Sequence, residues 1–379
     1  MRQNNTIFIS AGEASGDVLG ASVTEELLEL DPTIKINGMG GDAMRAAGVN
    51  TIVDCKDVSA MGITAVIANL RNILRAKRII KKYLFDEKPD LIILIDFADF
   101  NLRLAKIADG FGIKVLFYVS PKVWVWRKGR IKKIKKYVDH MALLFPFEKK
   151  IYDDAGIPAT FVGHPMVQNT KPNMSRDDTF EALSLNPELP VIGLFPGSRH
   201  GEIRYLLPII IEACLLIKQR IPLAQFALPV ASTINYSMIE TAVSNDIHLI
   251  TEHNYELMNI CTAAIATSGT VTLELGLFAV PMIVIYKFPK LTYWMARILV
   301  RSVKHFGLCN IIAEKEVAKE LLQDKVTAEA ICEEICHIIE DETYGQKKRI
   351  DMACIKDKLD TKNSAKETAE LAICLMNEL

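Results

Sequence analysis

The chain has 379 residues, which exceeds one ordinary hydrophobic core and predicts at least two domains. Half of the residues are apolar and 24% are charged, so the composition excludes an intrinsically disordered protein. The formal net charge is -1, which excludes a nucleic-acid partner attracted by a global positive field and leaves only local basic surfaces.

Short apolar runs alternate with amphipathic helical patterns in the first part of the chain. The predicted strands are residues 6–10, 34–38, 90–96, 113–120, 140–145 and 160–163. Runs that are apolar throughout are typical of strands buried on both faces, and therefore of a parallel sheet. This alternation predicts a doubly wound α/β domain, which binds ligands at the carboxyl ends of its strands.

The same alternation restarts after a polar, turn-rich stretch that follows His164. The second set of predicted strands is 191–195, 225–230, 247–251, 261–267 and 281–286. We therefore expect two doubly wound domains, at 1–165 and 166–345, with a ligand cleft between them. A charged helical tail at 346–379 is expected to pack back on the N-terminal domain.

The cysteines and the termini indicate a reduced, cytosolic protein. The eight cysteines are scattered and form no CxxC pair. Cys332, Cys336 and His337 have helical spacing, but no second cluster completes a zinc site. The N-terminus enters a strand within a few residues, so we expect no signal peptide. Residues 261–286 are weakly charged, but a glutamate, a proline and a Ser-Gly-Thr turn favour buried α/β structure over a membrane span.

The segment LFPGSRHGEI, residues 194–203, has the order strand, glycine turn and helix start. Backbone amides at Gly197 and Ser198 can approach a ligand closely, and the positive end of the next helix favours an anion. Arg199 presents a planar guanidinium to phosphate oxygens. The pattern fits a diphosphate site, although an ordinary strand–helix turn with a surface arginine has the same short signature.

A second turn, TSGTVTLELG at residues 267–276, repeats this order. Ser268 or Thr270 is the predicted helix cap, and the amides from Gly269 onward suit an anion. Glu274 can accept hydrogen bonds from two ribose hydroxyls, or it can simply match the helix dipole. Two such turns in one domain favour a nucleotide diphosphate.

The carboxylates of the first domain are candidates for acid–base chemistry. Asp96 ends a predicted buried strand, where burial would raise its pKa and suit it to act as a general base. Asp99 has a good alternative role as a helix cap. Glu13 and Ser15 lie in the glycine-rich turn AGEASGD, where Asp17 is the candidate cap; these short signals are individually weak.

Two basic stretches in the first domain predict contact with an anionic membrane. Residues 58–85 contain no acidic side chain, and one helical stripe carries Arg71, Arg75, Arg78 and Lys82. The apolar surface beside it is assigned to Val66, Ile67, Leu70, Ile73, Leu74, Ile80 and Leu84. The second stretch, residues 122–136, combines two tryptophans with a basic run. A solvated basic face on a core helix and an RNA-binding surface are the alternatives.

Motifs along the chain together resemble the lipid-A-disaccharide synthase family of GT-B glycosyltransferases. They are AGEASGDVLGA, MGI, IDFADFN, YVSPKVWVWR, FPFEKKIY, FVGHPM, LFPGSRHGEI, SGTVTLE and KELLQ, from residue 6 to about 330. The resemblance implies a GT-B fold, with two Rossmann-like domains facing each other across a cleft. Cys309, Glu314, Lys315, Lys122 and Gln168 depart from the expected pattern, which affects the loop around Asn310 and the choice of substrate.

The resemblance also implies the reaction. A 2,3-diacylglucosamine unit passes from UDP to the 6-hydroxyl of 2,3-diacylglucosamine 1-phosphate with inversion, giving the β-1,6-linked lipid A disaccharide 1-phosphate and UDP. No metal or other cofactor is implied. The implied location is peripheral, on the cytoplasmic face of the inner membrane of a Gram-negative bacterium, and the implied assembly is a homodimer.

Site roles follow from the same resemblance. Asp96 would deprotonate the acceptor, Arg199 and the two turns would bind the diphosphate, and Glu274 would hold the ribose. The acceptor side would be lined by Glu13, Ser15, Met61 and Trp126, and the donor side by Asn310 and Gln323. The alternatives are a peptidoglycan N-acetylglucosaminyltransferase, a UDP-N-acetylglucosamine 2-epimerase, or a non-catalytic lipid- or RNA-binding protein.

Overall fold

The computed structural model describes residues 5–58, 70–123, 129–230, 236, 239, 246–287, 305–359 and 362–378. Two residues assigned to the acceptor site, Met61 and Trp126, lie outside these ranges, as do Val66 and Ile67 of the basic stretch. The chain divides into two compact units, one formed by residues 1–165 with 362–379 and the other by residues 166–361.

The first unit is a seven-stranded sheet in the order β3-β2-β1-β4-β5-β6-β7, in which all described pairs are parallel. Its strands are β1 Thr6–Ala11, β2 Lys35–Gly40, β3 Asn50–Asp54, β4 Leu91–Ile95, β5 Lys114–Tyr118, β6 His140–Leu143 and β7 Ala159–Phe161. Its helices are Ala14–Leu30, Asp42–Ala46, Cys55–Val58, Leu70–Glu87, Ala98–Asp109, Arg130–Tyr137, Pro146–Asp154 and Ser364–Asn377. The strand order reverses between β1 and β4, so this edge has the crevice in which open α/β sheets bind ligands.

The second unit is a six-stranded sheet in the order β10-β9-β8-β11-β12-β13, also with parallel pairs. Its strands are β8 Val191–Phe195, β9 Gln225–Pro229, β10 Ile247–Ile250, β11 Ala263–Thr267, β12 Met282–Tyr286 and β13 Lys319–Leu322. Its helices are Arg176–Ala182, His200–Arg220, Asn254–Ile260, Val271–Leu277, Leu308–Ala313, Ala328–Glu340 and Glu342–Leu359, with Pro165–Asn169 at the boundary and a 3-10 turn at Gln323–Lys325. Here the order reverses between β8 and β11.

The central strands are apolar because helices cover both of their faces. Every residue of β4, β8 and β11 is buried. Strands β3 and β13 were not predicted from the sequence. They are edge strands, and β3 buries only Val53 and β13 only Leu321. An edge strand needs no continuous apolar run, so this pattern cannot reveal it.

The C-terminal tail is shared between the units. Helix Glu342–Leu359 belongs to the second unit, where Met352 and Ile355 are fully buried and Ile355 packs against Gly276. Helix Ser364–Asn377 belongs to the first unit and packs on helix Ala14–Leu30. The expected boundary at residue 345 therefore differs from the observed change of unit, which follows residue 361. Within the described ranges, no helix combines the length and apolarity needed to cross a bilayer.

Candidate active site

Asp96 follows β4 directly, in a turn with unusual backbone geometry. Asp96 and Phe97 are both left-handed, with φ of 44° and 42°. Such conformations cost of order 1–3 kcal/mol each when a residue is not glycine, so the surrounding structure must hold them in place. The Phe97 ring packs over Gly12, where an added Cβ would lie 2.2 Å from Phe97 Cδ1. Gly12, which follows β1, is therefore required, because a side chain at this position would clash with the Phe97 ring of the turn after β4.

Asn101, which the sequence analysis did not single out, holds this turn. The side chain is fully buried, and its Nδ2 donates to the carbonyls of Ile95 and Asp96 at 3.0 and 2.9 Å. Ser10 Oγ in β1 donates to Asn101 Oδ1 at 2.7 Å. The signal was present in the sequence, because an asparagine inside an apolar helical pattern needs buried partners.

The Asp96 carboxyl is electrostatically suited to accept a proton. Its side chain is exposed but lines a cavity, and the protein around it desolvates the carboxyl and raises its pKa above the usual aspartate value. The positive charge of Lys122, a hydrogen bond from the Phe97 backbone and the charge of Arg130 lower the same pKa. The carboxyl is therefore more basic than an ordinary aspartate.

The cavity beside Asp96 has a volume of about 230 Å³ and lies at the carboxyl ends of β4, β5 and β6. Its lining residues are Asp96, Ala98, Val119, Ser120, Pro121, Lys122, Arg130, Leu144, Phe145 and Glu148. Ser120 Oγ and Tyr152 Oη form a buried hydrogen bond of 2.7 Å beneath it. The cavity thus combines two carboxylates, Asp96 with its raised pKa and the buried Glu148, with two cations and an otherwise mostly apolar lining.

Glu13 and Ser15 lie at the carboxyl end of β1, the neighbour of β4. Burial raises the pKa of Glu13, and the negative charge of Asp96 raises it further, so these carboxyls are close in space. Asp17 is not the cap of its own helix, because Glu13 occupies that position. Its carboxylate instead accepts hydrogen bonds from the amides of Gly41, Ala43 and Met44, which begin the next helix.

Asp99 also differs from its predicted role as a helix cap. Phe97 is the cap residue, and Asp99 lies in the first turn of helix Ala98–Asp109. Its carboxylate pairs with Arg130 at 2.7 Å. Short polar residues near a helix start are common, and only the backbone geometry decides which of them is the cap.

In the second unit, the Pro-Gly-Ser-Arg turn follows β8. Gly197 has φ of 107°, and an added Cβ would lie 2.5 Å from Glu202 Oε2, so glycine is required here. The next helix starts at His200, two residues earlier than expected, with Arg199 as its cap residue. The Arg199 side chain is 80% exposed and its Nη1 lies 3.4 Å from Glu202 Oε1, so the guanidinium is accessible to an anion.

The Ser-Gly-Thr turn follows β11, which pairs with β8. Neither predicted side chain caps the helix that follows: Thr270 is the cap residue without a side-chain cap bond, and Ser268 Oγ donates to the Phe306 carbonyl at 2.9 Å. An added Cβ at Gly269 would meet only the Thr267 carbonyl, at 3.9 Å. The backbone at Gly269 is therefore open to a close approach.

Glu274 lies within the helix after this turn. Burial raises the pKa of Glu274, and Tyr255 Oη donates to its Oε1 at 3.5 Å. Gln323 follows β13, the far edge strand, and has a left-handed backbone with φ of 56°. Because β8, β11, β12 and β13 are parallel, Gln323 and the two turns lie at the same edge of this sheet.

Asn310, which was predicted to lie on the donor side, is held by hydrogen bonds to protein groups. It is fully buried, and its Oδ1 accepts hydrogen bonds from the amides of Val317 and Ala318 at 2.8 and 2.9 Å. Its Nδ2 donates to the Ala318 carbonyl and to Glu320 Oε1, both at 2.7 Å. The amide is saturated by protein groups, so a direct contact with a ligand would require this network to open.

Glu320 connects this buried network to the Ser-Gly-Thr turn. Its carboxylate accepts hydrogen bonds from the amides of Phe306 and Gly307 at 2.9 Å, and the Phe306 carbonyl accepts from Ser268. A chain of hydrogen bonds therefore connects Asn310 to the Ser-Gly-Thr turn through Glu320 and the backbone of residues 306 and 307.

The basic helix Leu70–Glu87 exposes a different set of apolar residues from the predicted one. Ile80 and Leu84 are fully buried in the core of the first unit. Leu70 and Leu74 are each 48% exposed beside the cations, and Ile79 and Phe85, which were not among the predicted residues, are 38% and 60% exposed. Arg71, Arg75 and Arg78 are exposed, and Lys82 pairs with Asp86. The amphipathic pattern predicted one apolar face of this helix, but it did not distinguish the apolar residues that are buried in the core from those that stay exposed.

The two parallel α/β units, with their candidate residues at the points of strand reversal, define a GT-B glycosyltransferase fold. Solved structures agree. The UDP-GlcNAc 2-epimerase of Neisseria meningitidis bound to UDP-GlcNAc superposes with a TM-score of 0.64 at 14% identity, covering 99% of this chain and 100% of that one. The glycotransferase of kitacinnamycin gives 0.65 at 12% identity, covering 98% and 99%. At such identities the likeness concerns the fold alone.

The family follows from sequence. The model of the lipid-A-disaccharide synthetase family matches residues 7–373. A lipid-A-disaccharide synthase of Geobacter sulfurreducens is 43% identical over 378 residues, 99% of this chain and 98% of the relative, and one of Coxiella burnetii is 41% identical over 368 residues, 97% and 98%. The chain belongs to the lipid-A-disaccharide synthetase family and is a glycosyltransferase of lipid A biosynthesis. The predicted resemblance is confirmed, and the non-catalytic alternative is set aside.

Proposed function

We propose that the protein transfers 2,3-diacylglucosamine from its UDP donor to the 6-hydroxyl of 2,3-diacylglucosamine 1-phosphate. The products are the β-1,6-linked disaccharide 1-phosphate and UDP, with inversion at the donor's anomeric carbon. The observation that carries the proposal is Asp96, a carboxylate of raised pKa on a cavity at the carboxyl end of β4, in a chain of this family.

Asp96 takes the proton of the acceptor 6-hydroxyl as its oxygen attacks the anomeric carbon. The bond from that carbon to the diphosphate breaks as the new bond forms, through a transition state with oxocarbenium character. The bonding electrons leave with UDP. Because the attack comes from the face opposite the diphosphate, the configuration inverts.

The second unit binds the UDP group and stabilises the charge that grows on it. Arg199 and the turn amides at Gly197, Ser198, Gly269 and Thr270 contact the diphosphate. Glu274 accepts hydrogen bonds from the ribose hydroxyls, and Gln323 lies near the donor. These cationic and dipolar groups take the place of a metal, so we propose that the reaction needs none. The described residues contain no cluster of three or more metal-ligating side chains.

The acceptor and the donor both carry acyl chains, so the enzyme works at a lipid surface. We place it on the cytoplasmic face of the inner membrane of a Gram-negative bacterium as a peripheral protein. The exposed cations Arg71, Arg75 and Arg78 support this, together with Lys82, which remains exposed beside Asp86. Assembly as a homodimer remains a prediction from the resemblance.

The test is a mass-spectrometric assay with both acylated sugars in detergent micelles and a chelator present. The expected products are disaccharide 1-phosphate and UDP from the wild type, none from Asp96→Asn, and normal amounts from Asp109→Asn, an exposed control at the end of the adjacent helix. Near-normal turnover by Asp96→Asn would refute the base assignment. No product from the wild type at any acyl-chain length would refute the reaction.

A further inference from the structure

The cavity beside Asp96 holds two cations that the reaction at the hydroxyl does not require. Lys122 and Arg130 both line it, and the charge of each lowers the pKa of Asp96, so both lie close to that carboxylate. A nearby positive charge makes a carboxylate a weaker base. The buried carboxylate of Glu148 lines the same cavity and can balance one of the two positive charges. The remaining positive charge opposes the task of the general base unless it serves another group.

Lys122 is available for such a group. Its side chain is exposed, and among the described residues it has no hydrogen-bond or ion-pair partner. Arg130 is held more firmly: its side chain is 13% exposed and it pairs at 2.7 Å with Asp99, which is 66% exposed. Because the Asp99 carboxylate of this pair is open to solvent, an anion of higher charge can compete with it for the guanidinium.

The size of the cavity limits what it can hold. Its volume of about 230 Å³ is below the roughly 300–1,000 Å³ of sites that enclose drug-sized ligands. It therefore accommodates a sugar headgroup and not the acyl chains. The proposed acceptor carries its phosphate on the same ring as the hydroxyl that Asp96 deprotonates, so both groups enter together.

We propose that Lys122 and Arg130 form the binding subsite for the phosphomonoester of the acceptor. This assignment rests on the proposed function. It gives the cations a charged partner, and it orients the ring so that the phosphate lies on the cations and the hydroxyl on Asp96.

The experiment compares two acceptors that differ only at the anomeric position: the 1-phosphate, and the same diacylated sugar with a methoxy group instead. For each, kcat/KM is measured with the wild type, Lys122→Met, Arg130→Met and Lys106→Met. Lys106 is an exposed lysine on helix Ala98–Asp109 and is absent from the cavity lining, so it is the matched control. Circular dichroism establishes that each variant is folded.

The wild type should prefer the phosphorylated acceptor, and Lys122→Met should lose roughly tenfold or more of that preference through a higher KM, as expected for a charge-assisted hydrogen bond. Lys122→Arg should keep the preference, and Lys106→Met should match the wild type. If the charge of Lys122 changes the basicity of Asp96, kcat/KM changes equally with both acceptors. That effect cancels when kcat/KM for the 1-phosphate is divided by kcat/KM for the methoxy compound.

Three outcomes would overturn the subsite: no preference in the wild type, an equal loss with both acceptors, or weaker inhibition by UDP as the only change. The second would mean that the cations only tune Asp96, and the third that they bind the donor diphosphate. If the wild type turns over neither acceptor, the proposed function itself has failed, and the subsite falls with it.

Discussion

Asn101 holds the backbone from which the Asp96 carboxyl projects, because it binds the carbonyls of Ile95 and Asp96, directly before and within the strained turn. We expect Asn101→Leu to lower kcat roughly 10- to 100-fold, since small displacements of a catalytic group have large effects, while the affinity for UDP stays unchanged. Steady-state kinetics and UDP titration test this.

The control for this experiment is Thr24→Val. Thr24 is also fully buried in the first unit, and its hydroxyl donates to the Gly20 carbonyl at 2.7 Å. It should lower stability by about 1–3 kcal/mol without changing kcat. If both variants lose kcat equally, the effect of Asn101 is one of stability and not of position.

The raised pKa of Asp96 predicts the pH dependence of the reaction. Only the ionised carboxyl accepts a proton, so activity should fall with decreasing pH through a value above about 3.9, the ordinary pKa of aspartate. Lys122→Met removes a charge that lowers this pKa, so the acidic limb should move to higher pH. The profile of kcat/KM with the methoxy acceptor measures it, because no phosphate titrates there. A limb that stays in place or moves to lower pH would contradict the assignment.

At the scale of elements, the turn between β8 and helix His200–Arg220 depends on Gly197. Gly197→Ala introduces a Cβ 2.5 Å from Glu202 Oε2 at a φ of 107°, which costs of order 1–3 kcal/mol or displaces the turn. We expect the affinity for UDP to fall by about tenfold, as measured by calorimetry. Gly201→Ala, four residues on, meets no atom within 4 Å and should bind UDP normally. Equal affinities in the two variants would argue against a diphosphate at this turn.

The central strands were predicted more accurately from the sequence than the helix caps. Continuous apolar runs predicted the central strands, with Asp96 as the last residue of one and Gly197 and Gly269 just after two others, because a buried parallel strand must be apolar and its carboxyl end carries the ligand turn. The observed strand ends at Ile95, so Asp96 belongs to the turn. The helix caps were predicted less well: of Ser268 and Thr270, only Thr270 occupies the cap position, without a side-chain cap bond, and Asp99 lies inside its helix. The position of a helix cap depends on backbone angles, and the sequence does not show which of several neighbouring short polar residues adopts them.

Side chains that act through long-range contacts were beyond prediction from the sequence. Asn101 reaches Ser10, 91 positions earlier in the chain. Such partners become neighbours only when the sheet forms, so the local pattern of apolar and polar residues does not predict which side chains will contact each other.

At the scale of the whole molecule, the first unit is completed by the last helix. Within helix Ser364–Asn377, Ala369 and Ala372 are fully buried, and Tyr118 Oη in β5 donates to Ser364 Oγ at 3.2 Å. Removal of residues 362–379 should therefore destabilise the first unit by at least about 3 kcal/mol through lost apolar burial, while UDP binding by the second unit persists.

Hydrogen exchange resolved by unit measures this difference. Removal of residues 378 and 379 alone is the control, because it leaves the helix Ser364–Asn377 complete. Uniform loss of protection across both units would show that the last helix stabilises the molecule as a whole and not the first unit in particular.

The return of the chain to its first unit has a consequence for synthesis on the ribosome. At about 5–20 residues per second, residues 166–361 take roughly 10 to 40 s to emerge, longer than most single domains need to fold. During that time the apolar surface of helix Ala14–Leu30 that the last helix will cover stays open to chaperones and to other nascent chains. The N-terminal part of the polypeptide is thus made first and matures last.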